Sequence, residues 1–213
     1  MTNIADIRKD YKQQILLEAD ILPNAIDQFE KWWHQAINSN IDEVNAMTLV
    51  TANLQAKPTA RIVLLKGFDK NGFTFFSNYE SNKALAIEQN PQVCLVFFWK
   101  ELERQIRIEG TASKLGKDAN DVYFNSRPIG SKIGAWSSPQ SKVIDGRNML
   151  ENNVVKFTQQ FDGANIPRPT NWGGYCVAPT LIEFWQGRPS RLHDRLQYTL
   201  VNNNEWQIDR LAP

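Results

Sequence analysis

The chain has 213 residues, enough for one domain with a sizeable core, and its 42% hydrophobic and 22% charged composition is that of a globular protein. Its 24 basic residues against 23 acidic ones leave a net charge of +1, without the basic excess of a dedicated nucleic-acid binder. No apolar run approaches the about 20 residues of a membrane span, and residues 1–11 have no apolar signal core, so the chain reads as cytoplasmic with no membrane partner. Cys94 and Cys176 sit in apolar runs without metal or redox spacing and read as buried free thiols.

Residues 1–20 are polar and read as a flexible N-terminal segment, a tail or a lid, ahead of a single domain over 21–213. Asn24, with Asp27 three residues on, predicts a capped helix start. Ile26, Phe29, Trp33 and Ile37 give that helix one apolar face. His34 beside it has no companion ligand and reads as an ordinary helix residue, so no metal site is expected. From Ala46 the period changes to that of strands: 47–52, 60–66, 73–77, 93–99 and 105–112 are short and rich in β-branched and aromatic residues. Asn71-Gly72 predicts a hairpin turn. Helices over 81–89 and 117–126 interrupt the strands, the second stopping near Pro128. A longer helix over 142–161 carries Leu150, Val154, Phe157 and Phe161 on one face, and a Gly- and Pro-rich loop follows over 162–170. Strands resume at 174–178, 181–186, 197–202 and 206–211. Several connections are too short for a crossover helix, which disfavours parallel winding. Hairpin-connected strands with inserted helices predict a mainly β fold, a closed or nearly closed antiparallel barrel.

Glycine-loop and common hydrolase signatures are absent, so a bound phosphate would be held by side chains. Arg191, His193 and Arg195 alternate in sequence and would share a face of an extended chain, with Trp185 just upstream; a solvated loop with one salt bridge through Asp194 is the alternative. Tyr123 and Arg127 are four apart at a helix end and Ser131 lies past the Pro128-Ile129-Gly130 turn, so phenol, guanidinium and hydroxyl could meet a phosphate. The other reading is an arginine set against the helix dipole. Arg61 and Lys66 flank an apolar run at a spacing that puts them on opposite faces of a regular strand, so a site using both needs a bulge or a strong twist. Ser77, Ser81 and Lys83 mark a strand-to-helix junction suited to a phosphate, and Gln105 is a polar strand residue able to meet a heterocycle edge.

Together the segments Arg61-Ile-Val-Leu-Leu-Lys66, Glu103-Arg-Gln105, Tyr123-Phe-Asn-Ser-Arg127-Pro, Ile133-Gly-Ala-Trp136, Trp172-Gly-Gly-Tyr175, Ile182-Glu-Phe-Trp-Gln-Gly187, Arg191-Leu-His-Asp-Arg195 and the closing 206–213 resemble the pyridoxine/pyridoxamine 5′-phosphate oxidase family over nearly the whole chain. The resemblance implies an FMN-binding split β-barrel and a homodimer with flavin sites at the subunit interface. It implies oxidation of pyridoxamine 5′-phosphate or pyridoxine 5′-phosphate to pyridoxal 5′-phosphate, with O₂ as acceptor and H₂O₂ as product. By position it matches Arg61, Lys66, Phe76, Ser77, Lys83, Gln105, Gln140, Ser141, Trp185 and Arg195 to flavin contacts. It matches Lys66, Tyr123, Arg127, Ser131, Arg191 and His193 to substrate contacts, with Arg191 and His193 in the catalytic place. Arg8 and Tyr11 belong to a segment resembling one that closes over the ligand. The chain departs from the family at Asn82, where arginine is frequent before the phosphate-site lysine, and at Phe76, where tyrosine is frequent. Two other readings stay open, a different split-barrel flavin oxidoreductase and a non-catalytic flavin or pyridoxal phosphate binding protein.

Overall fold

The computed structural model describes residues 3–7, 9–162, 165–202 and 205–213. Asn24 accepts the backbone N–H groups of Ile26 and Asp27 at 2.8 and 3.4 Å, so helix α1 (Ala25–Ile37) starts where the cap chemistry requires. Its buried face is rotated from the expected one. Ala25, Gln28, Phe29, Trp32 and Ala36 are buried, whereas Ile37 is 51% exposed. Trp32 decides the rotation: its ring lies 4.2 Å from the Arg104 guanidinium and edge-on to Phe184 at 5.2 Å, and Ile26 and Trp33 only border the core.

The described strands are β1 (Ala46–Ala52), β2 (Pro58–Leu64), β3 (Gly67–Asp69), β4 (Gly72–Asn78), β5 (Gln92–Trp99), β6 (Arg104–Lys114), β7 (Trp172–Gln186), β8 (Asp194–Asn202) and β9 (Glu205–Arg210). All pair antiparallel, in the order β2-β1-β5-β6-β7-β4-β3, with β8 on β7 and β9 on β8. β7 runs unbroken where the sequence suggested two strands. Pro179, which has no N–H, sits where the β6–β7 register shifts at Glu109/Gly110, so the bulge absorbs the missing ladder bond. β6 follows one edge of β7 from Tyr175 to Gln186. The other edge is divided, Trp172–Val177 pairing with β4 and Leu181–Gln186 with β8, so the sheet forks at β7.

The expected strand over 60–66 ends two residues early. β2 ends at Leu64, the Leu65 N–H bonds to Asn45 O and the Lys66 N–H to Thr74 O, and β3 then begins. The break releases Lys66 from strict alternation with Arg61; Lys66 lines the first cavity described below and Arg61 does not. The β3–β4 turn uses Gly72 at φ 135°, and Asp69 accepts the Asn71 N–H at 2.7 Å. Helices α2 (Asn82–Gln89) and α3 (Lys117–Ser126) lie where the sequence placed them. Helix α4 (Ile129–Ser137) replaces the expected turn after Pro128. Proline is compatible with a helix start, and Gly130 and Gly134 hid the helix by lowering its propensity. Helix α5 (Arg147–Gln160) is shorter than the expected 142–161, because residues 142–145 form a loop in which Val143 is fully exposed. No α5 residue is buried; Phe157 and Phe161 rest on Trp136 of α4, with ring centroids 5.6 and 5.3 Å away.

The main core fills the space between α1 and the sheet. A smaller cluster, Phe124, Ile133, Ile166 and Trp172 with Phe76 and Tyr123 beside it, joins α3 and α4 to β4 and β7. Cys94 and Cys176 are free and half-buried rather than buried, and burial raises the pKa of both thiols. No helix among the described residues is long and apolar enough to cross a membrane.

Candidate active site

A cavity of about 450 Å³ opens between the end of β2, β4, the C-terminus of α3 and α4. Its lining includes Lys66, Phe76, Ser77, Lys83, Tyr123, Arg127, Ser131 and Gln140, eight residues singled out from the sequence, and no carboxylate. Ser77 lies one residue before the end of β4 and Lys83 in the first turn of α2, so the strand-to-helix junction brings them together. Lys83 Nζ donates to Ser77 Oγ at 3.1 Å, Ser81 Oγ at 3.3 Å and Gln140 Oε1 at 3.1 Å. Burial and then the charge of Arg61 lower its pKa. The Arg61 guanidinium donates to Leu49 O at 3.0 Å, Thr51 Oγ1 at 2.9 Å and Thr59 Oγ1 at 2.6 Å, and burial lowers its pKa too. Each of these two neighbouring cations thus bonds its own set of uncharged oxygen acceptors, and neither has a carboxylate partner among the described residues.

The opposite wall is aromatic. Phe76 stacks on Tyr123 with centroids 3.8 Å apart and on Trp172 at 5.4 Å. Arg127 caps α3, and its guanidinium carbon lies 4.5 Å from the Trp172 ring centre. Arg127 Nη1 is buried with no hydrogen-bond partner among the described residues. Burial lowers the Arg127 pKa and raises that of Tyr123, so the phenol keeps its proton at neutral pH and can donate. Trp172 has no role in the sequence reading; its place at the start of a Gly-rich strand was the available signal.

The second cluster departs from the expected geometry. Ser190 and Arg191 take left-handed φ values of 57° and 63°, and Pro189–Arg191 forms a tight turn before β8 begins. Arg191, His193 and Arg195 therefore do not share an extended face. Arg191 and His193 line a cavity of about 770 Å³ with Tyr11 and Arg188. Arg195 instead makes a two-pronged bond to Glu183, 2.8 Å from Nε and 3.1 Å from Nη2, and donates to Ala212 O at 2.8 Å. Burial alone would raise the Glu183 pKa, but hydrogen bonds from Arg195 and Arg107 outweigh it and hold the carboxyl below its ordinary value. The Trp185 ring lies 4.5 Å from His193 and 5.8 Å from Tyr11, and Gln105 sits opposite Trp185 in the β6–β7 register. His193 Nδ1 accepts the Arg188 N–H at 3.1 Å, which leaves Nε2 to carry the proton of the neutral ring. Burial, then the Arg191 charge, lowers the His193 pKa against the opposing pull of Asp194.

Asn82 is exposed and lines a separate cavity of about 250 Å³ with Lys57 and Thr59, and Ser141 is exposed beside Gln140 at φ 71°. Arg8 lies outside the described residues. The first cavity and the Arg191 cavity share no lining residue.

Residues 33–161 match the family described as pyridoxamine 5′-phosphate oxidase, and residues 172–213 match the pyridoxine 5′-phosphate oxidase C-terminal dimerisation region. The chain is 54% identical over 211 residues to a pyridoxine/pyridoxamine 5′-phosphate oxidase of Cyanothece sp., covering 99% of each chain. It is 53% identical over 213 residues to one of Paraburkholderia phymatum, covering 100% of each. Among solved structures, PhzG of Burkholderia lata in complex with tetrahydrophenazine-1-carboxylic acid superposes with TM-score 0.87 at 26% identity, covering 93% of this chain and 98% of that one. A pyridoxamine 5′-phosphate oxidase-related, FMN binding protein of Nostoc punctiforme gives TM-score 0.70 at 16% identity over 87% of this chain and 97% of that one, a likeness of fold. A split-barrel fold and identity above one half along the full length agree: the chain belongs to the pyridoxine/pyridoxamine 5′-phosphate oxidase family.

Proposed function

We propose that this chain oxidises pyridoxamine 5′-phosphate and pyridoxine 5′-phosphate to pyridoxal 5′-phosphate, using FMN and O₂. One observation carries the reading at the level of the site: Lys66, Lys83 and Arg127 converge on one cavity whose lining holds no carboxylate. Such a set fits phosphate monoesters. The FMN phosphate fits the Lys83, Ser77, Gln140 and Arg61 group, where burial lowers the pKa of both cations and the Arg61 charge lowers that of Lys83 further. The substrate phosphate fits Lys66, Tyr123, Arg127 and Ser131, because Arg127 has an unmet buried donor and Tyr123 keeps its proton.

FMN held by these residues would supply the two-electron redox chemistry, the hydride equivalent coming from the substrate C4′ carbon and the electrons leaving to O₂ as H₂O₂. The chain's own residues bind, orient and exclude water. Phe76, Tyr123 and Trp172 form a flat apolar wall beside the phosphate donors. Arg191 and His193 hold the substrate ring, with Nε2 of His193 as the proton-bearing atom. Trp185, Gln105 and Arg195 are the flavin-side contacts of that cluster, and Glu183 fixes the Arg195 guanidinium. Net, the amine substrate, O₂ and water become aldehyde, ammonia and H₂O₂. The match of residues 172–213 to a dimerisation region supports a homodimer in which pairing of two copies unites the two clusters. Purified protein with FMN should form the aldehyde from pyridoxamine 5′-phosphate with stoichiometric oxygen uptake; ligand binding without oxygen uptake would leave only a binding protein.

A further inference from the structure

Glu103 has no part in the chemistry above, yet it is 2% exposed and its backbone is left-handed at φ 55° and ψ 40°, a conformation unfavourable for any residue with a side chain. A buried carboxylate persists only where donors meet it. Among the described residues, all the donors that meet it come from the N-terminal segment. Oε2 accepts the backbone N–H of Lys12 at 2.8 Å and of Gln13 at 3.1 Å, and Oε1 lies 3.4 Å from Lys9 Nζ. The carbonyl of the same residue accepts the Gly187 N–H at 2.8 Å and Gln186 Nε2 at 3.3 Å. Glu103 therefore ties residues 9–13 to the turn that follows β7.

Tyr11 lies inside that tied stretch. Its ring is 5.8 Å from the Trp185 ring, edge-on, and 6.1 Å from His193, and it borders the cavity of Arg191. It also covers Gly187 so closely that a Cβ there would meet Tyr11 atoms at 2.7 to 2.8 Å. Further along, the segment has other anchors: Arg104 bonds the Gln14 side chain, Asp194 Oδ2 accepts the Leu16 N–H at 3.1 Å, and Arg210 donates to Leu16 O at 2.9 Å. Loss of the Glu103 carboxylate would thus free Tyr11 without releasing Leu16.

We infer that Glu103 is a positioning residue for substrate binding: its carboxylate holds the main chain at Lys12 and Gln13 and so fixes Tyr11 as a wall of the cavity formed with Arg191 and His193. The inference rests on the reading that this cavity receives the substrate ring. In the full-length FMN-loaded protein, Glu103→Ala should speed amide hydrogen exchange at Lys12 and Gln13 while Leu16 keeps its protection. KM for pyridoxamine 5′-phosphate should rise about tenfold, the loss expected from a charge-assisted tie, with kcat and FMN content within about twofold. In a Tyr11→Ala background the same change should add little to KM, because the wall it positions is already gone. Gly187→Ala, which leaves the carboxylate in place and presses on Tyr11, should reproduce the KM rise without faster exchange at Lys12. If Glu103→Ala does not fold, Glu103→Gln, which keeps the shape but loses the charge, carries the exchange and KM comparison instead.

Unchanged exchange at Lys12 and Gln13 in the Glu103 variant overturns the tie regardless of activity. Faster exchange with unchanged KM, or an equal KM effect in the Tyr11→Ala background, overturns the positioning role. A parent protein that forms no aldehyde would refute the functional reading instead, while the exchange comparison still judges the tie.

Discussion

Arg127→Met should weaken ligand binding and at the same time stabilise the ligand-free protein. In the free state Nη1 of Arg127 is buried without a partner, and an unmet buried donor costs about 1–3 kcal/mol. Against this, the guanidinium sits 4.5 Å from the Trp172 ring centre. A cation over an aromatic face contributes about 0.5–2 kcal/mol, and a methionine sulfur in the same place returns about 0.3–1.5 kcal/mol. The two ring contacts nearly cancel, so the unmet donor decides the sign. The expected gain is about 1 kcal/mol, or a Tm rise of about 2–4 °C for a chain of this size. Binding moves the other way, because a hydrogen bond from a charged donor is worth about 1.5–3 kcal/mol, so Kd for pyridoxal 5′-phosphate should rise about tenfold to a hundredfold. Thermal unfolding of the apoprotein and calorimetric titration with pyridoxal 5′-phosphate measure both. An apoprotein Tm lowered by several degrees, or an unchanged Kd, would show that Arg127 is a structural tie rather than a waiting anion donor.

Arg191→Met should lower turnover on both substrates and leave bound flavin intact, measured by oxygen uptake and flavin absorbance; flavin loss with turnover restored by added FMN would exchange its role with that of Arg195. Asn82→Arg should tighten FMN by about 1 kcal/mol, several-fold, since a guanidinium replaces a neutral amide beside Thr59, itself bonded to Arg61. Quenching of flavin fluorescence on titration would read it, and weaker affinity would mean that residue 82 faces away from the phosphate. Because burial and Arg61 depress the Lys83 pKa in the free protein and a bound phosphate opposes both, FMN affinity should fall as pH rises from neutral into the alkaline range. Over the same range the apoprotein gains stability from Lys83, because the unfolded chain still holds the proton that the folded chain has released. A pH-independent Kd would refute this linkage. Light scattering should give about twice the 24.4 kDa chain mass, and a fully active monomer would contradict a site completed by two copies.

The strands were legible because period and turn chemistry agree locally: Asn24 caps, Gly72 turns and the 117–126 helix all lie where their residues put them. Elements set by tertiary contact were not legible. The rotation of α1 depends on Trp32 meeting Arg104 and Phe184, which lie far away in sequence. α4 carries two glycines and forms against α5 through Trp136, so its propensity alone reads as a turn. In the site, Tyr123, Arg127 and Ser131 converge as expected, although Ser131 does so from a helix rather than from a loop. The Arg191–Arg195 run misled, because alternation in sequence predicts a shared face only if the backbone is extended. Two left-handed residues, 190 and 191, break that condition.

A chain with a net charge of only +1 can still make a strongly cationic site by the way it distributes counterions. Arg107 and Arg195 share Glu183, Arg168 takes Asp121, and Arg188 and Arg210 take Asp194. These pairs tie strands and loops together and occupy carboxylates that would otherwise neutralise cations elsewhere. No carboxylate lines the cavity of Lys66, Lys83 and Arg127. In the free protein it is costly to bury these cations without a carboxylate partner, and burial lowers the pKa of both Lys83 and Arg127, with the Arg61 charge adding to the effect at Lys83. A phosphate monoester removes the imbalance on entry, so the free energy withheld from the empty fold appears as affinity. By mass action the same binding then stabilises the folded state. The unmet Nη1 of Arg127 and the hydroxyl and amide contacts of Lys83 are two expressions of one arrangement, donors held ready by packing that does not itself satisfy their charge.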